Sequence, residues 1–192
     1  MIATQCSSWS RARHGPLGSS WGPLRDNKHV FGLPGLSVQD QEKVALGNKQ
    51  MRASADIIRI CNRFSIPCIL ENPIASLIFR AFPLSRLLEA PSCTSVTVDQ
   101  CGYSARWRKR TRFACWNCTD AESLGILCRG RNGICSHTHK HHIILTGKSP
   151  SGPLWTSLAQ QYPSKLSYAL SDLLIRSYQS RKHNHYLYYA AG

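Results

Sequence analysis

The order of apolar patterns along the chain is helix, strand, helix, strand, strand, helix, which predicts an α/β sandwich of Rossmann-like type. Three observations carry that expectation. An amphipathic helix with a capping signal spans about 38–63. A short apolar strand runs into Glu71-Asn72-Pro73. Two β-branched strands follow at 95–99 and 111–116.

With 192 residues, 42% of them hydrophobic, the chain is large enough for one domain with a core and a small appendage. Residues 1–36 are rich in Gly, Pro and Ser and read as loop, except that the opening Met1-Ile2-Ala3 looks like the tail of a strand whose body is missing. Ser37 with an acid at Asp40 is a helix-opening signal. Behind it Val44, Met51, Ala55 and Ile58 share one helical face, and Gly47-Asn48 is where that helix is expected to weaken or divide.

The next strand ends at Glu71. Asn72 as a cap and Pro73 in the first helical position predict a helix that lasts until Pro83, with another short one over 84–90. His142 to Thr146 is a further strand candidate. Leu166, Ala169, Leu170 and Leu173 form the stripe of a closing helix from Ser164 to about Gln179, and 181–192 reads as a frayed tail. The expected organisation is a core portion over 1–117, a Cys/His-rich insertion over 118–155, the closing helix within 156–180, and the tail.

Charge narrows the partner class. The chain carries 24 Lys plus Arg against 10 Asp plus Glu, a net charge of +14. A bias of that size attracts polyanions, nucleic acid first among them, and part of it is concentrated in Arg106, Arg108, Lys109 and Arg110 around Trp107. No stretch approaches the ~20 apolar residues of a membrane span, and the start lacks a signal-peptide pattern. The expectation is therefore an intracellular protein, nuclear in a eukaryote, with no membrane partner.

Nine cysteines, an odd number, read as thiols or metal ligands rather than a disulfide framework. Cys115-Trp-Asn-Cys118 has zinc-knuckle spacing, and Cys128, Cys135, His137, His139, His141 and His142 follow. Zinc is the expected metal. One ligand set draws on Cys115, Cys118, Cys128, Cys135 and His141, and an alternative combines Cys118, Cys128 and Cys135 with one histidine. Glu71 is the candidate reactive carboxylate, because ligands of open α/β sheets bind beyond the carboxyl ends of the strands.

Taken in order, these landmarks resemble the second half of the DNA cytosine-5 methyltransferase family. Gln5-Cys6-Ser7-Ser8-Trp9-Ser10 resembles its nucleophile loop, and Glu71-Asn72-Pro73 is similar to its Glu-Asn-Val strand end. Tyr103-Ser104-Ala105 through Arg108-Lys109-Arg110 resembles its Tyr-Gly and Gln-x-Arg-x-Arg element, and Tyr162-Pro163 resembles the motif before its last helix. The resemblance implies a partial Rossmann-like sheet of the S-adenosylmethionine-dependent type, with flanking helices and a short Cys/His-rich insertion in the target-recognition position.

It also implies roles. Cys6 would add as a thiolate to cytosine C6, and Glu71 would hold N3 of a flipped-out base. Arg108 and Arg110 would hold the nucleophile loop and the phosphates or base. S-adenosylmethionine would be the methyl donor, with Asn72 and Pro73 on its side. DNA would be the partner, contacted by Ser10, Arg11, Arg13, Arg106, Lys109, Arg129 and Arg131. Thr4-Gln5 stands where the family has Pro-Pro, the Gln of the arginine element is missing, and no Gly-x-Gly cofactor loop occurs in the chain. The expectation is thus a truncated or degenerate methyltransferase, or one piece of a split enzyme whose cofactor half is a separate chain. The alternative is a non-enzymatic basic nucleic-acid-binding protein with a structural zinc site.

Overall fold

The computed structural model describes residues 1–10 and 22–190, with side chains described through 181. It is an α/β arrangement with a mixed, four-stranded sheet and flanking helices. The strands are β1 (Ile2–Ala3), β2 (Cys68–Pro73), β3 (Cys93–Asp99) and β4 (Arg110–Trp116), in the spatial order β1-β2-β4-β3. The helices are α1 (Val38–Arg63), α2 (Leu84–Leu87), α3 (Trp155–Leu158) and α4 (Ser164–Ala190). No helix among the described residues is long and apolar enough to cross a membrane.

The chain separates into two compact units, Met1–Ser95 with Phe113–Cys118, and Val96–Arg112 with Thr119–Gly192. The boundary passes through β3 and β4.

In the first unit, α1 begins where the sequence places it. Ser37 Oγ accepts the Asp40 N–H at 3.2 Å and donates back to Asp40 Oδ2 at 3.1 Å, a reciprocal cap. The buried face contains Val44, Met51, Ala55 and Ile58 as the periodicity predicts, together with Gly47 and Ser54. The helix ends in a turn through Ser65, at φ 51°, with Ile66 N donating to Cys61 O at 2.7 Å. Behind that turn β2 is buried at five of its six positions, the pattern of an inner strand. Its neighbour β1 pairs with it in parallel, Ile2 opposite Leu70 and Ala3 opposite Glu71. Met51, Ile58, Cys68, Leu70, Ile78, Leu84, Ala114 and Trp116 close the core of this unit together with Trp9.

Several expectations give way. The helix expected between Pro73 and Pro83 is only a 3-10 turn, Leu77–Arg80, capped by Ser76. Asn72 and Pro73 belong to β2, and Leu77, Ile78, Phe79 and Ala81 are all buried, so the segment packs as an apolar plug rather than an amphipathic helix. The helix expected over 84–90 closes after Leu87.

In the second unit, the strand expected at 142–146 does not form. Its amides are used singly, His142 N to Gly133 O at 2.8 Å and Ile143 N to Arg106 O at 2.9 Å, and Ile144 is 75% exposed. α4 buries Leu166, Leu170 and Leu173, as the stripe predicts, and its bounds extend beyond Gln179 to Ala190. The tail expected over 181–192 falls almost wholly outside the described side chains, as Arg11 and Arg13 fall outside the described residues.

α1 does not divide at Gly47-Asn48. A Cβ at Gly47 would overlap Ser8 Oγ and come within 2.9 Å of Arg25 Nη2 and 3.1 Å of Trp9 Nε1, so the glycine is where the loop after β1 lies against the helix. Two effects then compete in Gly47→Ala. Alanine gains about 1 kcal/mol of helix propensity, whereas overpacking a closed contact costs about 1–3 kcal/mol. Because the crowded groups are buried and Ser8 Oγ and Arg25 Nη2 are hydrogen-bonded, Gly47→Ala is expected to lower stability by about 1–2 kcal/mol in urea unfolding.

Candidate functional site

Two constellations stand out, one in each unit. The first lies at the carboxyl ends of β1 and β2. Because these strands run in parallel with Ala3 opposite Glu71, the chain leaves both at the same edge of the sheet, one toward Cys6 and the other through Glu71 into Asn72. Asn72 ties the two exits together, its Nδ2 donating to Thr4 O at 2.9 Å and to Glu71 O at 2.9 Å. Thr4 is held in turn by Ser54 of α1, hydroxyl to hydroxyl at 2.7 Å. Glu71 is 7% exposed, and Cys6 is half-buried.

The loop after β1 is a tight turn in which Cys6 O accepts from Trp9 N at 3.0 Å and Ser10 N at 2.8 Å. Leu77 N reaches Trp9 O at 3.1 Å and fixes the turn to the 3-10 segment beyond β2. Its main anchor is Arg25, 2% exposed. Nε donates to Ser8 O at 3.1 Å, Nη1 to Val30 O at 2.8 Å and Asn48 Oδ1 at 2.7 Å, and Nη2 to Ser8 Oγ at 3.1 Å and Val44 O at 3.0 Å. The guanidinium also lies over the Trp9 ring, 3.5 Å from its centroid. Burial lowers the Arg25 pKa to about 10, which leaves it charged at neutral pH.

In the second unit Cys101, Cys128, Cys135 and His142 bring their ligand atoms within 4.8 Å of one another, a group that can hold a metal ion. Cys128 Sγ is 3.9 Å from Cys135 Sγ and 3.8 Å from His142 Nε2. Tetrahedral ligands with bonds of about 2.0–2.3 Å lie about 3.4–3.8 Å apart, so the spacing fits a small ion at the centre. Amides and a hydroxyl point at the sulfurs. Ser136 N and Oγ reach Cys128 Sγ at 3.4 and 3.5 Å, and His137 N reaches Cys135 Sγ at 3.4 Å.

Burial alone would raise the Cys128 thiol. Hydrogen bonds from Ser136, the Gly130 amide and Cys101 outweigh it and bring the pKa down to about 6. Burial and the neighbouring sulfurs push the Cys101 thiol up. Three thiols and an imidazole packed so closely make a soft donor set that suits zinc-like ions.

Asp99 organises the approach to that group. Its side chain is fully buried, and it accepts from Arg108 Nε at 3.1 Å, from Arg110 Nε at 2.8 Å and Nη2 at 2.7 Å, and from Cys128 N at 2.9 Å. Burial alone would raise its pKa, but these donors hold it below the usual carboxylate value. Arg108 Nη2 also donates to Cys128 O at 2.7 Å. Gly130 has no room for a Cβ against Ile134 O, so the loop from Cys128 to Cys135 closes tightly.

Sequence-expected and observed sites overlap in part. Cys6 and Glu71 leave the same sheet edge. Arg108 and Arg110 are engaged on Asp99, and Lys109 Nζ donates to Ala159 O at 3.1 Å. Ser10 is half-buried in the Cys6 turn, and Arg106, Arg129 and Arg131 are exposed. Cys128 and Cys135 belong to the metal group, whereas the remaining expected ligands do not. Cys115 is a fully buried β4 residue of the first unit, its thiol raised by a hydrogen bond with Cys118 and by burial, and Cys118 Sγ donates to Trp116 O at 3.4 Å. His141 is exposed, lies outside the metal group and forms a backbone bridge to Ile134.

His142 takes the histidine position, and Cys101 is the ligand that sequence reasoning missed. Cys101 sits in the 3-10 turn after β3, too far along the chain from Cys128 for any knuckle spacing to reveal it. Its one local mark is Gly102, where a Cβ would overlap the Ile126 side chain.

Loading the chain with Co2+ is expected to give the thiolate-to-metal absorption of a tetrahedral sulfur-rich site. Cys128→Ser and His142→Ala should each abolish it, and Cys118→Ser should leave it unchanged. None of the protein-family models, curated proteins and solved structures compared with this chain matches it.

Proposed function

We propose that this chain is a divergent relative of the DNA cytosine-5 methyltransferases that retains the thiol and carboxyl half of the chemistry, beside a structural zinc site that shapes a nucleic-acid-binding segment. The observation that carries the reading is the parallel register of β1 and β2, which sends Cys6 and Glu71 from one sheet edge. The β1–β2 pair is read as part of a Rossmann-like sheet.

The chemistry follows from the residue types. The Cys6 thiolate adds to C6 of an extruded cytosine while the Glu71 carboxyl hydrogen-bonds N3, and the electron pair of the C5–C6 bond moves onto C5. C5 then takes a proton from solvent. Loss of the original C5 proton to a base returns the electrons, the C–S bond breaks, and cytosine is regenerated with its C5 hydrogen exchanged. Arg25 holds the turn that carries Cys6 and Asn72 holds the strand end at Glu71, which supports the reading because such an addition requires ordered groups. An arginine-bound loop beside the base is not part of this reading, because Arg108 and Arg110 are committed to Asp99.

The residues present do not fit a methyl donor. Asn72 is fully buried with its amide nitrogen on Thr4 O and Glu71 O, and the chain has no Gly-x-Gly turn. A separate chain is the proposed source of any donor site. Cys101, Cys128, Cys135 and His142 are the proposed zinc ligands, holding together a segment whose apolar content is low.

A second reading keeps the zinc and the nucleic acid without the chemistry. The metal group is sufficient for it, since a site with four protein ligands is the structural rather than the catalytic kind and needs no chemistry at Cys6. Tritium release separates the two. With duplex DNA tritiated at cytosine C5 and no methyl donor, the wild-type chain is expected to release tritium, Cys6→Ser to release none, and Glu71→Gln to slow release by about 100-fold or more. A wild-type chain that binds the duplex and releases nothing would leave the binder. Elemental analysis is expected to find one zinc per chain.

A further inference from the structure

Beside the metal group, in the same unit, is a hollow of about 580 Å³ between the segment from Ser104 to Arg106 and the segment from Thr138 to Ile143. Its polar lining consists of Ser104, Arg106, Thr138, Lys140 and the imidazoles of His141 and His142, with no carboxylate among them. Hydroxyls, a guanidinium, an ammonium and imidazoles can all donate. Among the described residues, no ion pair engages Arg106 or Lys140, whereas Arg108 and Arg110 nearby in sequence are both held by Asp99. The walls are fixed rather than loose. Ile143 N donates to Arg106 O at 2.9 Å, Cys135 N to Lys140 O at 2.8 Å, and His142 N to Gly133 O at 2.8 Å.

A concave surface lined by donors, holding two cations with no acid against them, is the electrostatic form of an anion site. We infer that this hollow binds a backbone phosphodiester of duplex DNA, with Arg106 and Lys140 as its charged contacts and Ser104 and Thr138 as its neutral donors. A polymer is favoured over a free anion because the Cys/His-rich segment that supplies one wall also carries Arg129 and Arg131, exposed and, among the described residues, outside any ion pair, as further cations for a chain of phosphates. His142 both lines the hollow and belongs to the metal group, so an ion bound there would help to fix one wall. The inference rests on the nucleic-acid reading above and adds the place and the residues.

The test is fluorescence anisotropy of a labelled 20-base-pair duplex with the full zinc-loaded chain, measured across a salt series. Each phosphate contact contributes about one unit to the slope of log affinity against log salt. The double variant Arg106→Gln/Lys140→Gln is expected to bind more weakly, with a slope shallower by about two, and to keep its metal. A control of equal charge, Lys28→Gln/Lys49→Gln, should leave the slope at the wild-type value, and free inorganic phosphate at the same ionic strength should not displace the duplex. If the double variant keeps the wild-type slope while binding persists, or if the control loses as much, the hollow is not the contact. A wild-type chain that fails to bind the duplex would remove the underlying nucleic-acid reading as well.

Discussion

A single buried guanidinium sets the geometry of the Cys6 turn. Arg25 has five N–H donors, and each meets an oxygen: Ser8 O, Ser8 Oγ, Val30 O, Val44 O and Asn48 Oδ1. Burying an ion costs several kcal/mol unless its hydrogen-bonding capacity is met, so this saturation is a condition of the fold rather than an addition to it. The consequence spreads outward. Ser8 must present both its carbonyl and its hydroxyl, Trp9 must lie flat beneath the cation, and α1 must carry a glycine at 47 to let the turn approach. Cys6, two residues before Ser8, takes its place from that arrangement.

Asp99 does the same for the other unit with the signs reversed. A fully buried carboxylate collects two guanidinium groups and the amide of Cys128, and thereby joins the end of β3, the start of β4 and the loop from Cys128 to Cys135. Half-exposed arginines pay little for their position, so the burden of desolvation rests on Asp99, and the donors around it keep it ionised. The two anchors differ in what they leave available. Arg25 is consumed in holding the Cys6 turn, and Asp99 consumes the two arginines that sequence order assigned to substrate, whereas among the described residues no ion pair engages Arg106 or Lys140 beside the hollow.

The local signals in the sequence were legible wherever a short-range rule decided the outcome. The reciprocal cap at Ser37 and Asp40, the 3.6-residue stripe of α1 and the β-branched run of β3 each depend on neighbours a few positions away. Where tertiary contacts decided, the sequence misled. Gly47-Asn48 looked like a helix break and is a docking point, since the partner that needs the space is Ser8. Pro73 looked like a helix start and is the end of a strand, because Asn72 bonds across to Thr4. The metal group shows the same limit: Cys128 and Cys135 lie close in sequence and were readable, but Cys101 joins them only through the folding of β3 and its turn. Cys115 and Cys118 had the right spacing and the wrong surroundings, one sulfur buried within a strand.

The proposed function stands on a thiol and a carboxyl that leave one end of a sheet and would act together on a pyrimidine ring. The most direct measurement uses duplex DNA carrying 5-azacytosine, whose electron-poor C6 accepts a thiolate without a methyl donor. After incubation with the zinc-loaded chain and digestion of protein and DNA, the mass of the peptide containing Cys6 is read. The account predicts that this peptide gains the mass of the modified nucleotide and that the other cysteine-containing peptides do not. An unmodified Cys6 peptide from a chain that has bound the duplex would contradict it.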